Sequence, residues 1–294
     1  MNGPGRHVVA IGGGHGLAST LAALLEPTGA GGPDPSITAV VSVADDGGSS
    51  GRLRKEFGVP ALGDLRVALL ALSDHGNPLT RAMAHRFDAG ELSGHAMGNL
   101  LIAAMVQADG GLVLALDELG RAIGARGRVL PNVVEPVVLC GRTADGGLVE
   151  GQVAVMGTTG IERVWLEPEA ASPPEVLEAI GVADRIILGP GSLFTSVLAA
   201  LVAPEIRAAV AASSAQCVYV ANLSPELPET AGRDAAGHLA ALVDHGITPD
   251  VVLADPGAFG GAPAGVGTVV ADLADSAGTA HDPVKLATAL ARLD

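Results

Sequence analysis

The sequence predicts an α/β protein in which a mostly parallel sheet is layered between helices. Three observations carry this prediction. Residues 7–44 open as strand, glycine loop, helix, strand, and the same alternation returns after residue 174. The β-branched runs also lack polar alternation, as strands covered on both faces do.

Taken in order, residues 7–11 form a strand, Gly12-Gly13-Gly14-His15-Gly16 a turn, 17–25 a helix and 37–44 a second strand. This is a βαβ unit of the Rossmann-like type. From residue 63 to 124, Leu, Ala, Ile and Met recur every three or four residues, which predicts a helical insertion. Within 133–167 the turn Ala144-Asp145-Gly146-Gly147 predicts an antiparallel hairpin with a third strand, expected to extend the sheet at one edge. The alternation then resumes with a helix at 174–180, a strand at 185–188, a helix at 193–201 and a strand at 217–221. A helix at 234–245, strands at 251–254 and 267–271, and a closing helix at 282–293 with Asp282 as its cap follow. Residues 1–294 are expected to close as one three-layer α/β/α domain carrying the insertion and the hairpin extension.

Composition narrows the partners. Hydrophobic residues make up 48% of the chain and charged ones 17%, enough to bury a core. Aromatics are 2%, with one Trp and one Tyr, so a stacking platform for bases has almost no material. The formal net charge of -15 repels phosphate polymers and anionic membranes, while a small phosphorylated ligand can still be held by backbone N–H groups. No nucleic acid and no membrane insertion are expected. Cys140 and Cys217, the two cysteines, form neither a disulfide framework nor a metal cluster, and no metal site is expected from side chains alone. There is no signal-peptide layout, and runs such as 100–106 are too short to span a bilayer, so a cytoplasmic protein is expected.

The candidate site residues lie where strands feed helices. Gly12, Gly13, Gly14, His15 and Gly16 can turn tightly and bring N–H groups against an anion at a helix N-terminus. Leu17 occupies the third glycine place of G-x-G-x-x-G, which argues against a dinucleotide. The stretch Asp45-Asp46-Gly47-Gly48-Ser49-Ser50-Gly51-Arg52-Leu53-Arg54 joins carboxylates, hydroxyls, glycines and arginines in what reads as a loop. That mixture suits a pyrophosphate with its ribose: Asp for hydroxyls or Mg²⁺, Gly and Ser for phosphate oxygens, Arg for charge. Asp64 and Arg66 open one helix. His95 and Asn99, at i and i+4, are expected to share a face of another. Gly189, Gly191 and Ser192 form a second candidate phosphate cradle, and Asn222 sits at a strand C-terminus, where ligands of open α/β sheets bind. No nucleophile elbow, P-loop or zinc helix is present, so no catalytic residue is assigned.

These segments, with Gly63-Asp64-Leu65-Arg66, Gly94-His95-Ala96-Met97-Gly98-Asn99 and Arg126-Gly127-Arg128-Val129-Leu130-Pro131, resemble in order the gluconeogenesis factor (YvcK-like) family. At His15 the chain departs from many relatives, which have Thr. The resemblance implies a bacterial cytoplasmic protein that binds UDP-sugars such as UDP-N-acetylglucosamine and is needed for cell shape on gluconeogenic carbon. It also implies a homodimer and a protein partner. The related 2-phospho-L-lactate transferases of coenzyme F420 synthesis imply the alternative, a phospholactyl transferase with Asp45 or Asp46 on Mg²⁺. A nicotinamide-dependent enzyme is a third reading, motivated only by the βαβ opening.

Overall fold

The computed structural model describes residues 5–27, 34–257 and 266–293. In chain order the first half comprises β1 (His7–Gly12), α1 (Gly14–Leu25), β2 (Ser36–Val41), α2 (Gly48–Phe57), α3 (Gly63–Leu72), α4 (Pro78–Ala84), α5 (Met97–Asp109), α6 (Leu112–Ala122) and β3 (Arg128–Pro131). Next come β4 (Val138–Thr143), β5 (Leu148–Glu150), α7 (Gln152–Met156), β6 (Ile161–Glu167), α8 (Pro174–Gly181) and β7 (Arg185–Leu188). A π-helical turn, Leu193–Leu198, runs into α9 (Ala199–Leu201). The remainder is α10 (Pro204–Ala212), β8 (Gln216–Val220), α11 (Ala235–Asp244), β9 (Val251–Ala254), β10 (Gly267–Val270) and α12 (Pro283–Ala291).

Among the described residues the main sheet has seven parallel strands in the order β10-β9-β8-β7-β1-β2-β3. From β1 the chain steps outward through β2 to β3, then returns to β7 on the other side of β1 and steps outward again. The order therefore reverses between β1 and β7, which places a ligand crevice at the C-terminal ends of those strands. Register aligns them: Gly12 lies opposite Val41, and Ile11 opposite Leu188. The turns that follow β7, β1 and β2 thus stand side by side.

Burial explains the strands. Val9, Ala10, Ile11, Val40, Val41, Ile186, Ile187 and Leu188 are all buried, as the unbroken apolar runs require. On one side α12 packs Leu286 and Leu290 against Val8, Ile187, Val218 and Leu253. Asp282 caps α12 as expected, accepting from the amides of Val284 and Lys285 at 2.9 and 3.1 Å, with Pro283 following it. Both cysteines are buried, and burial pushes the Cys217 thiol up to about 12.

The structure differs from expectation in three places. The hairpin segment does not lengthen the main sheet; β4, β5 and β6 form a separate antiparallel sheet of order β5-β4-β6. Its inner residues Leu139, Ile161, Val164 and Leu166 join the same buried cluster as the main sheet, so it docks by its face rather than by its edge. The edge is occupied by β3, within the Arg126–Pro131 motif, where a four-residue strand is too short to show periodicity. The stretch 48–57, read as loop, is helix α2. Among the described residues no single helix is long and apolar enough to cross a membrane. One bent pair, Leu193–Leu201 with Pro204–Ala212 at 78°, passes that test jointly, and Leu193, Phe194, Val197 and Leu198 within it are core residues.

Candidate functional site

Three turns meet at the crevice, and the closeness of two of them is set by glycine. A Cβ on Gly16 would overlap the carbonyl oxygen of Pro190 and lie 2.9 Å from Cα of Gly191. The Gly189 amide donates to the Ile11 carbonyl at 3.0 Å, and Thr20 of α1 donates its hydroxyl to the Gly189 carbonyl at 2.7 Å. Gly14 at φ 61° and Gly48 at φ 48° open α1 and α2 in a backbone conformation that favours glycine.

The two helices behind these turns are open to anions. Neither α1 nor α2 has a side-chain cap or an acidic residue in its first turn. The amides of His15, Gly16, Ser49 and Ser50 find no acceptor among the described residues. Four donors therefore converge at the ends of two adjacent strands, the arrangement that holds phosphate at helix N-termini.

The second glycine turn behaves differently. The Ser192 hydroxyl and the Leu193 amide face the carboxylate of Glu226 and favour its charged form, while burial, the larger effect, pushes its pKa up to about 7. Glu229 Oε1 accepts from the amides of Phe194 and Thr195 at 2.6 and 3.2 Å, and its Oε2 accepts from the Thr195 hydroxyl at 2.7 Å. The helix that would receive a phosphate is thus sealed by two carboxylates of the same chain. Beside the cradle expected at Gly189, Gly191 and Ser192, the amides of Phe194 and Thr195 are therefore already filled, and these residues shape the wall of the crevice. Asn222 belongs to the same wall, since its Oδ1 accepts from the Gly191 amide at 3.1 Å and its Nδ2 donates to the Gly191 carbonyl at 3.0 Å. Both ends of the Asn222 amide are therefore engaged within the protein.

In the second motif the roles separate. Asp46 Oδ1 accepts from the Val153 amide at 2.9 Å and so anchors α7 of the small sheet. Asp45 turns inward, half-buried, and accepts from the Gly47 amide at 2.9 Å. Ser50 accepts from the Gly63 amide at 3.2 Å, joining α2 to α3. Arg52 donates to the Ser93 carbonyl at 2.9 Å. His95 precedes α5, whose cap is Ala96, so it does not share a helical face with Asn99. The two side chains converge nonetheless on one hydroxyl: Ser49 Oγ is 2.9 Å from His95 Nδ1 and 3.3 Å from Asn99 Nδ2. Asn99 Oδ1 accepts in turn from Arg66 Nε at 3.0 Å.

Electrostatics divides the crevice into two parts. Burial, and then the nearby Asp45 carboxylate, push Asp64 up to about 6, against an opposing hydrogen bond from the Gly14 amide. A Cβ on Gly13 would lie 2.6 Å from Asp64 Oδ2, so Asp64 sits directly beneath the first turn. Arg52, Arg66 and Arg86 form no ion pair with a carboxylate of the described residues, although the charges of Arg66 and Asp64 act on one another. Burial and the charge of Arg86 lower the pKa of Arg66. In a chain with 32 acidic and 17 basic residues, guanidinium groups left without carboxylates mark a place for an outside anion.

Sequence reasoning missed four residues that build this site: Asn132, Glu226, Glu229 and Arg86. Asn132, fully buried, ties β2 to α9 by accepting from the Val43 amide at 3.2 Å and donating to the Ala199 carbonyl at 3.0 Å. A polar residue directly after the apolar run 129–131 was the available signal for it. The two glutamates lie in a stretch with no periodicity, and their partners are more than 30 residues away.

The sequence profile described as 2-phospho-L-lactate transferase CofD matches residues 8–264. The chain is 43% identical over 255 residues to the gluconeogenesis factor of Halalkalibacterium halodurans, covering 84% of this chain and 77% of that protein. It is 41% identical over 241 residues to the gluconeogenesis factor of Bacillus subtilis, covering 81% and 74% respectively. A crystal structure of a UPF0052 family member from Bacillus halodurans matches with a TM-score of 0.88 at 36% identity, over 99% of each chain.

Proposed function

The chain belongs to the 2-phospho-L-lactate transferase CofD family, among its gluconeogenesis factors, and from that premise we propose a nucleotide-sugar-binding regulatory protein. Its ligand is of the UDP-N-acetylglucosamine type, and its role lies in cell shape and wall homeostasis during gluconeogenic growth, in the cytoplasm. Ligand occupancy would be read by a protein partner.

The observation that carries this reading is the contrast between helix ends. The first turns of α1 and α2 offer four amides without acceptors. The helix after β7 has its amides filled. A ligand with one diphosphate fits that contrast, with its phosphates on the open turns and Arg52 and Arg66 balancing their charge.

Mg²⁺ fits the acid pair. Asp45 and Asp64 repel one another enough to contribute to the raised pKa of Asp64, and they lie beside the open amides. Among the described residues no group of three or more His, Cys, Asp or Glu is assembled for a metal. Two carboxylates with phosphate oxygens and water are a usual Mg²⁺ environment. When bound, the ion would neutralise charge on the diphosphate.

The transferase reading stands second, and Asp64 is what favours it. A carboxyl with a pKa near 6 can take a proton from an acceptor hydroxyl close to neutral pH. Asp46, spent on the Val153 amide, leaves Asp45 and Asp64 for that role.

Calorimetric titration with UDP-N-acetylglucosamine, with GDP and NAD as comparators, tests the proposal while chromatography follows the ligand. Tight binding without consumption is the expected result. Preference for GDP, or conversion of the ligand, would put the transferase first.

A further inference from the structure

The hydrogen bonds around Ser49 run in one direction. The Nε–H of Arg66 can only donate, so the atom of Asn99 that faces it must be Oδ1. That leaves Asn99 Nδ2 facing Ser49 Oγ and occupying one of its lone pairs. The hydroxyl proton of Ser49 then has one acceptor among the described residues, His95 Nδ1 at 2.9 Å. An imidazole that accepts at Nδ1 while neutral carries its proton on Nε2. His95 is 7% exposed, and its Nε2 has no partner among the described residues.

The surroundings keep the ring neutral. Burial, then the charges of Arg52 and Arg86, lower the pKa of His95, and Glu56 opposes them. Ser49 is also the second residue of α2, so the histidine stands beside the open amides of that helix.

We propose that Ser49, Asn99 and Arg66 are positioning residues acting through His95: their relay locks the imidazole as its Nε2–H form and aims a neutral donor at a phosphoryl oxygen of a nucleoside diphosphate. This rests on the ligand reading above. It adds that Ser49 and Asn99, counted among ligand contacts on sequence grounds, spend their polar atoms on the relay.

Nitrogen-15 NMR of the imidazoles in the ligand-free protein at pH 7.5 tests the relay, and calorimetry with UDP tests its consequence. His95 is identified by loss of its signal in His95→Asn. The wild type should show an unprotonated Nδ1 and a protonated Nε2. Ser49→Ala should show a tautomer mixture and bind UDP about tenfold more weakly. Ser49→Thr, which keeps the hydroxyl, should restore both, and thermal melts would establish that each variant is folded. A protonated Nδ1 in the wild type, or Ser49→Ala with unchanged tautomer and affinity, overturns the proposal. If the tautomer behaves as described but no form binds UDP, the relay stands and the ligand reading falls.

Discussion

Residue 16 meets Pro190 so closely that a Cβ on Gly16 would overlap the Pro190 carbonyl oxygen. The start of α1 and the turn after β7 are therefore one packed unit, although 174 residues separate them. Asn222 holds the far side of that turn through Gly191, and Thr20 holds its near side through Gly189. The open amides of α1 owe their position to this stack.

Gly16→Ala should cost about 1–3 kcal/mol of stability, because backbone rather than a flexible side chain must move. UDP affinity should fall with it. Gly181→Ala is the control: nothing lies within 4 Å of its added Cβ, and its stability should stay within about 0.5 kcal/mol of wild type. Equal denaturant midpoints for Gly16→Ala and wild type would contradict the packing described.

Glu229→Ala leaves the amides of Phe194 and Thr195 and the Thr195 hydroxyl without their buried acceptor. A loss of about 2–4 kcal/mol is expected in urea unfolding. Glu229→Gln keeps an oxygen for both amides and should lose about 1 kcal/mol or less. If alanine proves as mild as glutamine, the carboxylate is not what seals that helix.

Asp64 gives stability a pH signature. Its folded pKa, about 6, lies above the ordinary 3.8, so the folded protein binds more protons between those values. Its contribution to stability therefore rises as pH falls from about 6 toward 3.8, and above 6 the full cost is present. That cost is up to about 3 kcal/mol at neutral pH. Asp64→Asn should melt higher than wild type at pH 7.5, with the gap closing by about pH 4. A gap that does not change with pH would show that the charge of Asp64 is unperturbed.

Asn222→Asp replaces the group that donates to the Gly191 carbonyl with one that cannot donate when ionised. It should lose about 1–3 kcal/mol and weaken UDP binding. Asn222→Ala loses both bonds and should be no better. Unimpaired UDP binding in either variant would separate the wall from the ligand site.

The parts of the fold that were legible are those in which burial alone dictates the pattern. The runs around Ile11, Val40 and Ile187 are buried on both faces and show it as uninterrupted apolar sequence. Helix α2 was illegible because Gly48, Ser49, Ser50 and Gly51 are poor helix formers, and tertiary packing overrides them. Leu53 is buried, and Gly58 ends the helix at φ 63°, donating to the Arg54 carbonyl at 3.0 Å. In the candidate site, residue types at strand ends drew attention to the right turns. They could not tell a turn open to solvent from one filled by Glu226 and Glu229, because that depends on contacts remote in sequence.

The sealed helix after β7 gives the crevice a handedness toward whatever enters it. Two half-sites related by a two-fold rotation would accept a molecule either way round, and would welcome one charged at both ends. Here one half-site is stoppered by the chain's own acids, so the ligand proposed above would seat in a single orientation, with its negative end leading toward α1 and α2.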